Sequence, residues 1–170
     1  MRLVKFNAAV FLSVTLLACA AKQAITPPGA PLALRVAKNE APSLEAFASG
    51  AQAYECGAAG RWLAKGADAE LTDREGKKLG TLSSGPTWEA RDGGKVTGAP
   101  KAEEPGRKSG DLPWALFTAS SAPRGGALGR TSSIQQMDTV GGGAPAGSCT
   151  PGDRASVPFK ATYYFYRRGK

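Results

Sequence analysis

Glu89 and Asp92 lie three residues apart beside Trp88, a spacing that invites a paired-carboxylate acid/base site next to an aromatic platform. The local pattern also supplies a plainer reading. Asp92 opens an Asp-Gly-Gly turn, and Glu89 falls on a solvent-facing strand position. Asp68, Glu70, Asp73 and Glu75 are oxygen ligands at close spacing, but they do not follow the D-x-[DN]-x-[DN]-G order of a calcium loop. Ser83-Ser84 and Ser132-Ser133 lack the G-x-S-x-G or S-x-x-K setting of an activated serine. The chain contains no His, which excludes Ser-His-Asp and Cys-His nucleophiles and imidazole metal ligands. No metal and no cofactor are therefore expected. What remains is recognition chemistry. Trp62, Trp88 and Trp114 are core or hairpin-packing candidates, and their alternative is a stacking platform for a sugar or other flat ligand, extended by Tyr164 and Tyr166. The candidate binding set is Trp88, Glu89, Asp92, Gln135, Tyr164 and Tyr166.

The elements that must position these residues repeat with a period of two. In the last segment Val157, Phe159, Ala161, Tyr163 and Phe165 share one face, and Pro158, Lys160, Thr162, Tyr164 and Tyr166 share the other. That alternation predicts a strand with one core face and one aromatic, partly exposed face. Residues 74–79 and 91–96 both follow R-[DE]-G-x-K-apolar, and acid-Gly between strand-like flanks is a hairpin signal. Two successive hairpins, 67–82 and 87–98, are expected. Leu112 to Ser120 reads as a strand buried on both faces, Thr131 to Val140 as a further strand, and Gln52 to Cys56 as a short one. Residues 43–49 fit either a helical turn or a strand entrance. Residues 99–111 carry two prolines in a polar setting and read as an exposed loop. The expected fold is all-β, an antiparallel sandwich or partly closed barrel with long Gly/Pro-rich loops.

Length and composition agree with one such domain. The chain has 170 residues, of which Gly (22) and Pro (12) make one fifth. Its start reads as an export signal: a basic Met1–Lys5, an apolar Phe6–Leu17, then small residues. The apolar run is too short to serve as a permanent membrane span, which needs about 20 residues. Leu16-Leu17-Ala18-Cys19 resembles a bacterial lipoprotein box, with Cys19 as the lipidated residue and Ala20 after it favouring the outer membrane. Ordinary cleavage after Ala20 or Ala21, releasing a periplasmic or secreted protein, is the alternative. The expected organisation is a signal peptide at 1–18, a tether at 19–39 and one β domain at 40–170. Loss of Arg2 and Lys5 leaves 20 basic against 14 acidic residues, a charge of +6. The basic residues are dispersed, so nucleic acid is not an expected partner, whereas a membrane, a glycan or an anionic polymer is. Once Cys19 is assigned to processing or lipidation, Cys56 and Cys149 remain, and an oxidising compartment favours their pairing.

The residues also carry a resemblance. Tyr54-Glu55-Cys56, Gly85-Pro86-Thr87-Trp88-Glu89, Asp92-Gly93-Gly94-Lys95-Val96, Ile134-Gln135, Ala144-Pro145, Cys149 and Tyr163-Tyr164-Phe165-Tyr166 occur in the order of a domain-of-unknown-function family of small exported bacterial and fungal proteins, which this chain resembles from about 40 to 166. The resemblance implies an extracytoplasmic β-rich domain without an established activity. Some fungal relatives carry a malate dehydrogenase label, but no G-x-G-x-x-G after a strand and no βαβ unit is found here. Leu82 stands where the family usually shows His, and Gln136 where it usually shows Arg. These readings favour a non-enzymatic envelope or secreted module that binds a small ligand, glycan or partner. A carboxylate-dependent hydrolase and a structural envelope lipoprotein are the alternatives.

Overall fold

The computed structural model describes residues 24–121 and 125–169. The proposed signal peptide and Cys19 lie outside the described residues. Eight antiparallel strands follow one another around a closed barrel: β1 (Glu40–Cys56), β2 (Trp62–Thr72), β3 (Lys78–Ser83), β4 (Thr87–Ala90), β5 (Lys95–Glu104), β6 (Trp114–Ser121), β7 (Thr131–Gly141) and β8 (Arg154–Arg168). Closure comes from β8 pairing with β1 along nearly its whole length, from Glu40↔Arg168 to Glu55↔Arg154. Every strand thereby has two neighbours, which removes the exposed outer edge an open sheet would present.

The two expected hairpins are β2–β3 and β4–β5. Gly76 and Gly93, at φ of 83° and 80°, supply the left-handed backbone their turns require. Asp73 accepts hydrogen bonds from the Glu75 and Lys77 backbone N–H groups, and Asp92 accepts one from Gly94. Elsewhere the strands outrun the expectation. Residues 43–49 join 52–56 in the single long β1, and 62–64 joins 67–71 in β2. Residues 99–104, expected as loop, extend β5 instead. Pro100 is tolerated in that strand because pairing with β6 continues beside it, with a shift between Pro100 and Ala102.

Alternation puts a mixed set of large and small residues inside. Ala46, Ala48, Ala69, Ala115 and Ala161 leave room for Trp88, Phe117, Tyr163 and Phe165. The indole of Trp88 meets the rings of Tyr163, Phe117 and Phe165 edge-on, with centroids 5.3, 5.5 and 6.1 Å away. Such pairs add roughly 0.5–1.5 kcal/mol each beyond area burial. Gly98 is required beside them, since a Cβ there would lie 2.8 Å from the Trp88 ring. Eight strands enclose just enough space for side chains or one small ligand. Here the large residues fill one end.

That end is also capped. Leu128 is buried against the core, and Asp92 accepts the Ala127 N–H at 2.7 Å. Arg167 donates to the Ala127 carbonyl at 2.7 Å. The other end carries the β1–β2, β3–β4, β5–β6 and β7–β8 connections. The disulfide Cys56–Cys149, with 93 residues of sequence separation, ties the first of these to the last.

Within the segment expected as a tether, residues 24–37 lie along the outside of the barrel. A short 3-10 helix, Leu32–Leu34, places Leu34 in a cluster with Leu116, Met137, Tyr164 and Tyr166. The outer face of β6–β8 is therefore covered by the chain's own N-terminal strap.

Candidate functional site

Strand lengths decide where the barrel is open. The β3–β4 hairpin has strands of six and four residues, between neighbours of eleven and ten. β2 pairs with β3 only from Ala69↔Leu82 to Thr72↔Lys78, so Trp62–Asp68 has no strand partner on that side among the described residues. β5 pairs with β4 only at Lys95–Thr97, after which one bond from the Gly98 N–H to the Pro86 carbonyl (3.0 Å) ends the contact. The wall is consequently notched above the hairpin, between the upper halves of β2 and β5. A cavity of about 400 Å³ opens there, at the low end of the size range of small-molecule sites.

Each part of the cavity has a structural origin. Ala64, Gly66 and Ala67 form one side from β2, and Pro100 and Glu103 form the other from β5. Pro86 and Pro113 stand at the rim in the adjoining loops, and Leu82, Trp88, Phe117 and Tyr163 make the floor. The exposed lining is mostly apolar. Its polar groups are largely committed to holding the walls in place. Tyr54 donates to the Gly142 carbonyl at 2.6 Å, tying β1 to the β7–β8 loop. Tyr163 donates to the Gln136 amide oxygen at 2.6 Å, and the Gln136 amide donates to the Pro113 carbonyl at 2.8 Å. Burial holds the Tyr54 phenol above its ordinary pKa of 10.0 and raises that of Tyr163 further, so both stay neutral donors. Trp88 Nε1 is buried with no hydrogen-bond partner among the described residues.

The six residues singled out from the sequence do not converge. Trp88 alone reaches the cavity, as its fully buried floor. Glu89 points outward and pairs with Lys95 at 2.7 Å. Asp92 is at the capped end, where the Gly94 and Ala127 N–H groups hold its carboxyl below the ordinary carboxylate range. No facing carboxylate pair arises from those two residues. Gln135, Tyr164 and Tyr166 face the strap: the Gln135 amide donates to the Leu34 carbonyl at 2.6 Å, and its oxygen accepts from Tyr166. The aromatic outer face expected for a ligand is thus filled by residues of the same chain. Among the described residues, no group of three or more His, Cys, Asp or Glu is placed to hold a metal ion.

Sequence reading missed Tyr54, Ala64, Pro100 and Glu103 as cavity residues. Their signal was indirect, because the turn spacing around the 74–79 and 91–96 repeat already implied two strands shorter than the rest. Leu82 and Gln136, the two departures from the resembled pattern, both line the cavity.

Residues 36–167 match the model of a family described as Protein of unknown function (DUF3455). No curated protein and no solved structure matches the chain.

Proposed function

Because the chain belongs to the DUF3455 family of proteins of unknown function, we propose a function from its own geometry: an exported, non-catalytic barrel that binds a small, mostly apolar ligand in the notched mouth. The observation that carries this reading is the cavity of about 400 Å³ between β2 and β5, apolar in most of its surface. A packed floor and a disulfide-tied rim make it a preformed site, so little ordering entropy opposes binding.

Export is supported by the pattern of residues 1–18 and by the Cys56–Cys149 bridge, which suits an oxidising compartment. The strap gives the lipoprotein reading a geometry. Ala24, Ile25 and Thr26 lie beside Glu45 and Arg74, toward the capped end. Four residues separate Cys19 from Ala24, so the five steps between them reach at most about 18 Å. A lipid on Cys19 would hold the capped end toward the membrane and turn the mouth away from it, toward ligand.

The test is thermal unfolding with a panel of small apolar probes, compared between wild type and Ala64→Trp, which fills the rim. A probe at ten times its Kd adds about 1.4 kcal/mol, a rise of about 4 °C for a domain of this size. That rise in wild type and its absence in Ala64→Trp support the function. No rise with any probe, or equal rises in both proteins, overturns it.

A further inference from the structure

We infer that the mouth cavity selects organic ammonium compounds with a small apolar body, the ammonium group resting on Glu103. This names the ligand class of the site proposed above and rests on that reading.

The placement of Glu103 is a consequence of the β5 bulge. Val96, Gly98 and Pro100 follow the inward alternation of β5, and Phe117, the interior residue opposite Pro100, confirms the register. An unbroken strand would then turn Ala102 inward and Glu103 outward. The shift between Pro100 and Ala102 reverses this: Ala102 packs outside with the strap cluster, while Glu103 lies opposite fully buried Ala115 and lines the cavity. Bulges that re-aim one side chain occur preferentially beside functional sites. The bulge follows Pro100, whose missing N–H falls where β5 has lost β4 as a partner, so the free edge resists non-specific strand pairing.

The hydrogen-bonding balance of the lining points the same way. Apart from the Ser83 hydroxyl, its side-chain donor groups each bond a protein oxygen: Tyr54 on Gly142, Tyr163 on Gln136, Gln136 on Pro113, and the Gln52 amide on the Ala53 carbonyl at 3.2 Å. The Trp88 N–H is unpaired but sealed from solvent. On the acceptor side stands Glu103, the one acidic or basic side chain that lines the cavity among the described residues. Glu55 has Lys65 and Glu89 has Lys95, whereas Glu103 has no ion-pair partner among the described residues. An apolar chamber with a free carboxylate at its rim fits a ligand that brings a cation and a hydrocarbon body together.

Titration calorimetry at low ionic strength with 2-phenylethylammonium, 2-phenylethanol and 3-phenylpropanoate separates shape from charge. The ammonium probe should bind about threefold to tenfold tighter than the alcohol, and the carboxylate weaker than either. Glu103→Gln, a change at an exposed side chain, should bring the ammonium affinity to that of the alcohol and leave the alcohol unchanged. Equal affinities for the ammonium and carboxylate probes, or no effect of Glu103→Gln, overturn the ammonium assignment. In that case alcohol binding that Ala64→Trp abolishes still upholds the cavity. Binding of no probe, or isotherms untouched by Ala64→Trp, removes both readings.

Discussion

Leu34→Ala tests whether the N-terminal strap is part of the folded domain. Leu34 is fully buried, although no strand ladder holds its segment, and its cluster partners Leu116, Met137, Tyr164 and Tyr166 come from three different strands. The substitution removes three carbons from that cluster, worth about 2.4 kcal/mol in transfer free energy alone. A rigid site that could not collapse would add a cavity penalty and bring the loss toward about 5 kcal/mol. The strap is a surface segment free to settle inward, so the expected loss is about 2–3 kcal/mol, or roughly 6–9 °C in Tm for a domain of this length. The Gln135 amide on the Leu34 carbonyl and the Tyr166 hydroxyl on Gln135 couple the strap to the barrel, so both should unfold in one transition. Urea unfolding followed by circular dichroism and by Trp fluorescence measures this directly. A loss under about 0.5 kcal/mol, together with faster proteolysis within 24–37, would show an independently fraying strap and refute the argument.

All four tyrosines have pKa values raised above 10.0, chiefly by burial, with Tyr166 pushed up to about 12. Raised folded values stabilise fully below pH 10, and this contribution is lost as pH rises toward 12, because the unfolded chain ionises first. Tyrosinate absorbance should therefore appear together with unfolding, and a tyrosine ionising near pH 10 in the folded protein contradicts the burial. Asp92 has the opposite sign: its depressed value contributes stability above the ordinary 3.8 that is lost as pH falls through the folded value. The Tm gap between wild type and Asp92→Ala should be constant from about pH 7 to 5 and close below 3.8; a gap unchanged at pH 2.5 would contradict the role of its carboxylate. Replacing Cys56 and Cys149 together by Ala should cost up to about 4–5 kcal/mol in urea unfolding, as a bridge across 93 residues constrains the unfolded chain strongly. A loss under about 1 kcal/mol would argue against the bridge.

The barrel's interior was legible from the sequence because period-two patterning is local. Phe159, Ala161, Tyr163 and Phe165 are buried as the alternation requires, and the acid-Gly turns fall where the repeat places them. Closure by β1 with β8 was not legible, since it joins residues from 99 (Glu55↔Arg154) to 128 (Glu40↔Arg168) positions apart and no local signal reports it. The outer face of β8 misled for a related reason. Tyr164 and Tyr166 look solvent-facing in their own strand, and only the return of Leu34 across the barrel buries them. Trp88 carries both a packing and a binding reading in the sequence, and its full burial bears out the packing one. Glu103 escaped notice because a bulge inverts the alternation on which its orientation would have been read.

The most direct test of the mouth as a small-molecule site is a ¹⁵N–¹H NMR titration of the wild-type protein with 2-phenylethylammonium. The predicted result is saturable movement of the Gly66, Ser83, Gly85, Glu103 and Gln136 amides with one shared Kd, while the Leu34, Tyr164 and Tyr166 amides stay still. Shifts that never saturate, or that centre on the strap-covered face of β6–β8, would contradict the account.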